Sequence, residues 1–316
     1  MANNVSTPRF YVSWGDYWKS LGTTVDSLYT LNPSQTPQEL IYNANSTSYG
    51  LGIASTPYES AALGINFFAA LGHNLGGKTG VNFIAKQLGG GVQDVFLDSN
   101  TIQAGVNVDD STRLSGFTLS TFPESSNTTI PAEYVAAGIK NDSANVNLKI
   151  NSFVFGKYYD MPHSPDLSLK LSYEMDGIKN IQTKGGATLS NALYTKPADW
   201  GDGNGAWQLG DNPNYRSGRR VWDLSFSYLS DTDVMPVLGI QNYDGATTTD
   251  ILDGTDFFSQ VWNKTMGGHL PFIFQADNST NSPDGFAIAR FDMNSLQYEQ
   301  VAHNTYNVKL KIRESW

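Results

Sequence analysis

The run Ser217-Gly-Arg-Arg-Val-Trp-Asp-Leu-Ser-Phe-Ser-Tyr-Leu-Ser230 decides how this chain is read. Trp222, Leu224, Phe226 and Tyr228 alternate with Asp223, Ser225, Ser227 and Leu229. A repeat of period two sends one set of side chains into a core and the other into water, the signature of a half-buried strand. The closing stretch has the same form: Tyr306, Val308, Leu310 and Ile312 alternate with Asn307, Lys309, Lys311 and Arg313. So does 167–175, where Leu167, Leu169, Leu171, Tyr173 and Met175 alternate with Ser168, Lys170, Ser172 and Glu174. Asp176-Gly177 comes next, before Ile178–Ile181. Asp-Gly between two such runs predicts a hairpin, because the turn needs positive φ. Weaker strands are expected over 146–159, 270–275, 286–291 and 114–122, and a short helix over 257–264 with Thr255 near its start.

Nearer the N-terminus the spacing changes. Thr56-Pro-Tyr-Glu59 reads as a capping box. Leu63, Phe67 and Leu71 follow at four-residue intervals, with Gly72 as a stop, which predicts a helix over 57–71. Val81, Ile84, Ala85 and Leu88 predict a second helix over 78–88, ended by Gly89-Gly-Gly91. The expected fold class is therefore α+β, mainly β: antiparallel β-sandwich-like sheets with an N-terminal αα-hairpin over 57–88. The expected division is an N-terminal region, 1–124, and a β-rich sandwich-like domain, 125–316.

Between the two expected helices, Gly72-His-Asn-Leu-Gly-Gly-Lys-Thr79 matches the P-loop pattern. A P-loop works because a strand feeds a glycine turn whose amides and following helix N-terminus cradle phosphate. Here helical spacing precedes the match, Gly80 follows its Lys-Thr pair, and Val95–Asp98 arrives too soon for a βαβ unit. The segment is read as a tight turn between helices, and no cofactor is expected.

Composition narrows the classes further. A chain of 316 residues and 34.6 kDa makes one large domain or two ordinary ones. Charged residues are 16 %, against ~25 % in ordinary soluble domains, and the formal net charge is −10. Lys and Arg are scattered, and their tightest cluster, Arg216, Arg219 and Arg220, is too small for a phosphate-binding stripe, so no nucleic acid is expected. The chain contains no Cys, which excludes disulfides, thiolate metal sites and cysteine nucleophiles. The segment MANNVSTPRF carries no signal-peptide pattern. No apolar run approaches the ~20 residues of a membrane span, so no membrane partner is expected.

Site chemistry is sparse. His73, His163, His269 and His303 stand in neither H-x-H nor H-x-x-x-H spacing, so no zinc site is expected. No G-x-S-x-G elbow occurs. Asp199, Asp202, Asn204 and Asp211 crowd one loop, but Gly201 stands where the next calcium ligand belongs and no Glu closes the loop. Glu174, Asp176, Asp199 and Asp223 are the acids nearest to aromatics, the raw material of a glycosidase cleft. Trp200, Trp207 and Tyr215, in the long loop 198–217, suit a sugar-binding face. No catalytic, cofactor or metal residue emerges, and the chain is not expected to be an enzyme.

Three stretches carry a resemblance: Ser217–Tyr228; Phe257-Phe-Ser-Gln-Val-Trp262 with Leu270–Gln275 and Phe286–Phe291; and the closing Tyr306–Trp316. From Val146 onward the chain resembles tail and baseplate structural proteins of tailed bacteriophages, of the distal-tail or tail-hub kind. The resemblance covers about half the chain and implies no catalytic residues. It implies a virion structural protein, assembled in the host bacterial cytoplasm. Such a protein forms a homo-oligomeric ring and touches other phage tail proteins. Few charges and many aromatics agree with a chain built for interfaces. Trp200, Trp207, Tyr215, Trp222, Trp262 and Trp316 are the expected interface or glycan contacts. The alternative is a carbohydrate-binding module or glycosidase that takes a glycan, for example on the host surface, with the aromatic loop 198–217.

Overall fold

The computed structural model describes residues 5–22, 24–31, 38–42, 49–54, 66–71, 81–89, 94–97, 106–107, 118–121, 132–141, 146–174, 179–191, 199–200, 204–205, 219–236, 254–280 and 285–315. The strands that position the site are β1 (Arg9–Val12), β2 (Phe67–Leu71), β3 (Val106–Asn107), β4 (Thr118–Thr121), β5 (Ser152–Gly156), β6 (Tyr158–Asp160), β7 (Lys170–Glu174), β8 (Arg219–Ser230), β9 (Phe272–Gln275), β10 (Phe286–Phe291), β11 (Tyr298–Ala302) and β12 (Thr305–Glu314). The main sheet is eight-stranded and runs β6-β1-β9-β10-β12-β8-β7, with β11 also paired to β12. A four-stranded sheet runs β5-β2-β4-β3. Pairing is antiparallel in both. The protein is mainly β, with few helices.

The alternation in β8 and β12 does what the sequence implies. Their register sets Trp222 opposite Ile312, Leu224 opposite Leu310 and Phe226 opposite Val308. All six side chains are buried in one cluster. The phase then slips at an irregularity between Phe226 and Leu229, where Tyr228 adopts φ 61. A bulge moves later side chains to the other face. Leu229 therefore turns inward, while Tyr228, expected inside from parity, is 79 % exposed.

Strands β9 and β10 follow a different pattern, because both of their faces are covered. Phe272-Ile-Phe-Gln275 is buried at every position. Continuous apolar runs of this kind belong to sheets packed on two sides. On one face Phe10 of β1 meets Phe272, Phe274, Phe291 and Phe257, with ring centroids 5.4–6.0 Å apart. On the other, Tyr11, Ile273, Phe286 and Ile288 share a core with Phe67, Ala69, Leu71, Leu119 and Val154 of the four-stranded sheet. Beyond that sheet, Phe155 packs on Trp18 of helix α1 (Trp14–Ser20) and on Tyr29 of a 3-10 turn.

Where the expected αα-hairpin falls on described residues, strands stand in its place. Phe67–Leu71, expected to end the first helix, is β2, hydrogen-bonded between β5 and β4. Val81–Gly89, expected as the second helix, is a strand paired with Ala132–Asn141 and Asp94–Leu97. For β2 the physical reason is two-sided burial: a short apolar run imitates helical spacing when every position is apolar. The capping box at 56–59 and the P-loop match at 72–79 lie outside the described residues. The predicted Asp176-Gly177 hairpin gives way to another, since Lys179–Gln182 pairs with Thr188–Asn191 while β7 pairs with β8. In the main sheet β1 lies between β6 and β9.

Helix α1 is started by Ser13, whose Oγ accepts from the Asp16 N–H at 3.2 Å. The Asp16 carboxylate in turn accepts the Leu31 N–H at 2.9 Å. Burial pushes the Asp16 carboxyl above its ordinary range. An acid whose pKa is raised on folding favours the folded state fully at pH below its unfolded value, and that contribution is lost as pH rises through the folded value. Asp16→Asn keeps an oxygen for Leu31 and removes the ionisation. The variant is expected to be more stable than the parent at pH 7, with the gap closing as pH falls toward 4. Urea midpoints measured across that range check this; a gap that does not change with pH contradicts it.

Candidate functional site

Among the described residues the main sheet ends at β7. The chain reaches it through a short anchored segment. The Asp166 N–H donates to the Ser225 carbonyl at 2.7 Å, and the Ser227 hydroxyl donates to Asp166 Oδ2 at 2.8 Å. Leu169 and Leu171 pack against the core cluster that holds Trp222. Lys170, Ser172 and Tyr173 are exposed, and Leu167 is fully so. Among the described residues no strand pairs with the outer edge of β7.

The outer face of this half of the sheet is a ladder of charge. Lys170 sits opposite Asp223, and Asp223 opposite Lys311. Arg313 Nη2 meets Glu174 Oε2 at 2.9 Å, and Lys311 Nζ meets Asp292 Oδ2 at 2.7 Å. The hydrogen bond to Asp292 is the main reason the Lys311 ammonium is held above its ordinary range. Pairs this exposed contribute about 0–1 kcal/mol each.

Shortly beyond β7 in sequence stands a hairpin arm, Lys179–Gln182 paired with Thr188–Asn191. Its turn closes through the Thr183 N–H to the Ala187 carbonyl at 2.8 Å and the Gly186 N–H to the Thr183 carbonyl at 2.9 Å. Gly186 has φ 83, a conformation that glycine adopts without strain. Ile181 and Leu189 face each other across the two strands and are 63 % and 59 % exposed. From Asn180 to Ser190 every residue except Thr183 is exposed, so neither face of the arm is covered. An isolated two-stranded hairpin is marginal in water.

The residues singled out from sequence scatter. Trp222 and Trp262, two of the expected interface or glycan contacts, are buried at 3 % and 9 % exposure and pack in the core. Trp222 lies edge-on to Phe274, and Trp262 packs on Phe291. Trp200 belongs to a two-residue strand pairing with Asn204-Gly205, and its side chain is outside the described residues, as are Trp207, Tyr215 and Trp316. Of the four acids, Glu174 engages Arg313 and Asp223 lies in the charge ladder, while Asp176 and the side chain of Asp199 fall outside the description. His163 packs by Phe226, whereas His269 and His303 are exposed; His73 is not described. Among the described residues no group of His, Asp or Glu is placed to hold a metal ion. No described helix is long and apolar enough to cross a membrane.

Sequence reasoning missed two ion pairs. Arg9 forms a bidentate pair with Asp160, at 2.6 and 2.7 Å, between the neighbouring strands β1 and β6. Arg220 pairs with Glu314 across β8 and β12. The second was readable: the parity that sends Trp222 and Ile312 inward also sends Arg220 and Glu314 inward. Residues that looked like part of a loose arginine cluster therefore split, with Arg220 holding the sheet together.

No family model matches the chain, and neither a curated protein nor a solved structure matches it.

Proposed function

We propose that this chain is a structural subunit that works by self-association: a virion component of a tailed phage, placed in the distal tail or baseplate, with no catalytic role. The observation that carries the reading is the hairpin arm 179–191, exposed on both faces over 180–190 and carrying the apolar pair Ile181 and Leu189. Such an arm gains its stability by lying on a neighbour, which excludes water from that pair. The sandwich-like body would be the two sheets that share the Tyr11–Ile288 core. The position in a phage tail, the ring and the contacts with other tail proteins rest on the resemblance of Ser217–Tyr228 and the two other stretches quoted above.

Ile181→Asp together with Leu189→Asp tests the reading. Both positions are exposed, so the fold is expected to survive unchanged. Self-association is expected to weaken about tenfold or more. Size-exclusion chromatography with light scattering reads the result. A double variant that assembles as tightly as the parent overturns the role given to the arm.

A further inference from the structure

We propose that the outer edge of β7 is a docking strand whose partner is the same strand of a second copy of this chain. The proposal deepens the subunit reading and rests on it. The strand reads Lys170-Leu-Ser-Tyr-Glu174. Two copies paired antiparallel about an axis through Ser172 bring Lys170 opposite Glu174 of the second copy, twice. Leu171 then lies opposite Tyr173, also twice.

Parity makes the match physical. Lys170, Ser172 and Glu174 share a face with their cross-strand partners Asp223, Val221 and Arg219, the face that also carries Lys311 and Arg313 and on which Val221 is buried. Leu171 lies with Trp222 on the core side. In the antiparallel register each pair therefore shares a face of the sheet, and the Lys170–Glu174 pairs are opposite in charge. Parallel pairing would set Lys170 beside Lys170, and a slip of one residue would mix the two faces. Lysine on a sheet edge ordinarily repels other strands. Here Glu174 cancels that repulsion, and only in the two-fold register. Glu174 already meets Arg313 through Oε2, and a carboxylate has acceptor sites to spare for a second cation. The contact is isologous, so it closes at two copies and joins two eight-stranded sheets edge to edge.

Charge exchange in the full-length chain tests this. Lys170→Glu and Glu174→Lys each create like-charge pairs across the axis and are expected to raise the dimer Kd about tenfold or more. The double variant, Lys170→Glu with Glu174→Lys, restores opposite pairs and is expected to recover parental affinity. An equimolar mixture of the two single variants is expected to form a heterodimer tighter than either homodimer. Sedimentation equilibrium reads all four, with thermal melts to show that each is folded; Lys170→Glu leaves the Arg313 contact untouched and is the cleaner single change.

Single variants that dimerise like the parent, or a double variant that does not recover, overturn the proposal. If charge exchange has no effect while the Ile181→Asp/Leu189→Asp variant still dissociates, the edge is not the contact and the subunit reading survives. If the unmodified protein is monomeric throughout, both fall.

Discussion

Glu314→Ala is expected to destabilise the protein by about 3–5 kcal/mol, the range for removing one partner of a buried ion pair. Glu314 is 4 % exposed and Arg220 14 %. The carboxylate accepts from Arg220 Nη2 at 3.0 Å, from Arg220 Nε at 3.2 Å and from the Arg220 backbone N–H at 2.9 Å. The guanidinium also donates to the Phe286 carbonyl at 2.7 Å and lies 5.1 Å from the Trp222 ring centroid. One side chain thus ties β8, β10 and β12 together where the sheet passes from two covered faces to one. Removing the carboxylate takes away the acceptor of two guanidinium hydrogen bonds and of the Arg220 backbone N–H in a largely buried site. Glu314→Gln keeps one oxygen and is expected to cost less. Urea unfolding with an unchanged m-value measures the loss. Glu299→Ala, at an exposed position on β11, serves as the control and is expected to stay within about 0.5 kcal/mol of the parent. Equal midpoints for Glu314→Ala and the parent would contradict the role given to the pair.

Phe10→Ala is expected to cost about 3–5 kcal/mol by emptying the centre of the aromatic cluster. The residue has no exposed surface and touches four other rings. Those rings come from β9, β10 and the segment at Phe257, so the cavity cannot close without moving two strands at once. Phe10→Leu refills most of the volume and is expected to recover more than half the loss. The same urea experiment reads both, and a Phe10→Ala midpoint within error of the parent's would show that the site collapses freely.

Legibility in the sequence follows burial. Where one face meets water, as in β8 and β12, alternation gave both the strand and its inward set, because each polar residue marks the outer face. The run 286–291 was readable as a strand from its length and its phenylalanines. Where both faces are covered the marks vanish. Phe67-Phe-Ala-Ala-Leu71 carries no polar residue, so spacing could not separate strand from helix, and the capping box just upstream tipped the reading the wrong way. Tyr228 was misplaced because a bulge obeys backbone geometry that parity does not record. The aromatic residues divided for a similar reason: composition marks Trp222 and Trp262 as contact-forming, but only the place of Trp222 in the sheet and of Trp262 in the helical turn 258–262 says that the contacts are internal. The edge strand was legible as alternating residues, whereas its position at the end of the sheet depends on the strand order.

The central claim, that this protein is built to meet copies of itself, is tested most directly by sedimentation equilibrium of the unmodified chain over a wide range of concentration. A weight-average mass that climbs above the 34.6 kDa of one chain and reaches at least twice that value is expected. A mass that stays at one chain up to the highest concentration reached would contradict it.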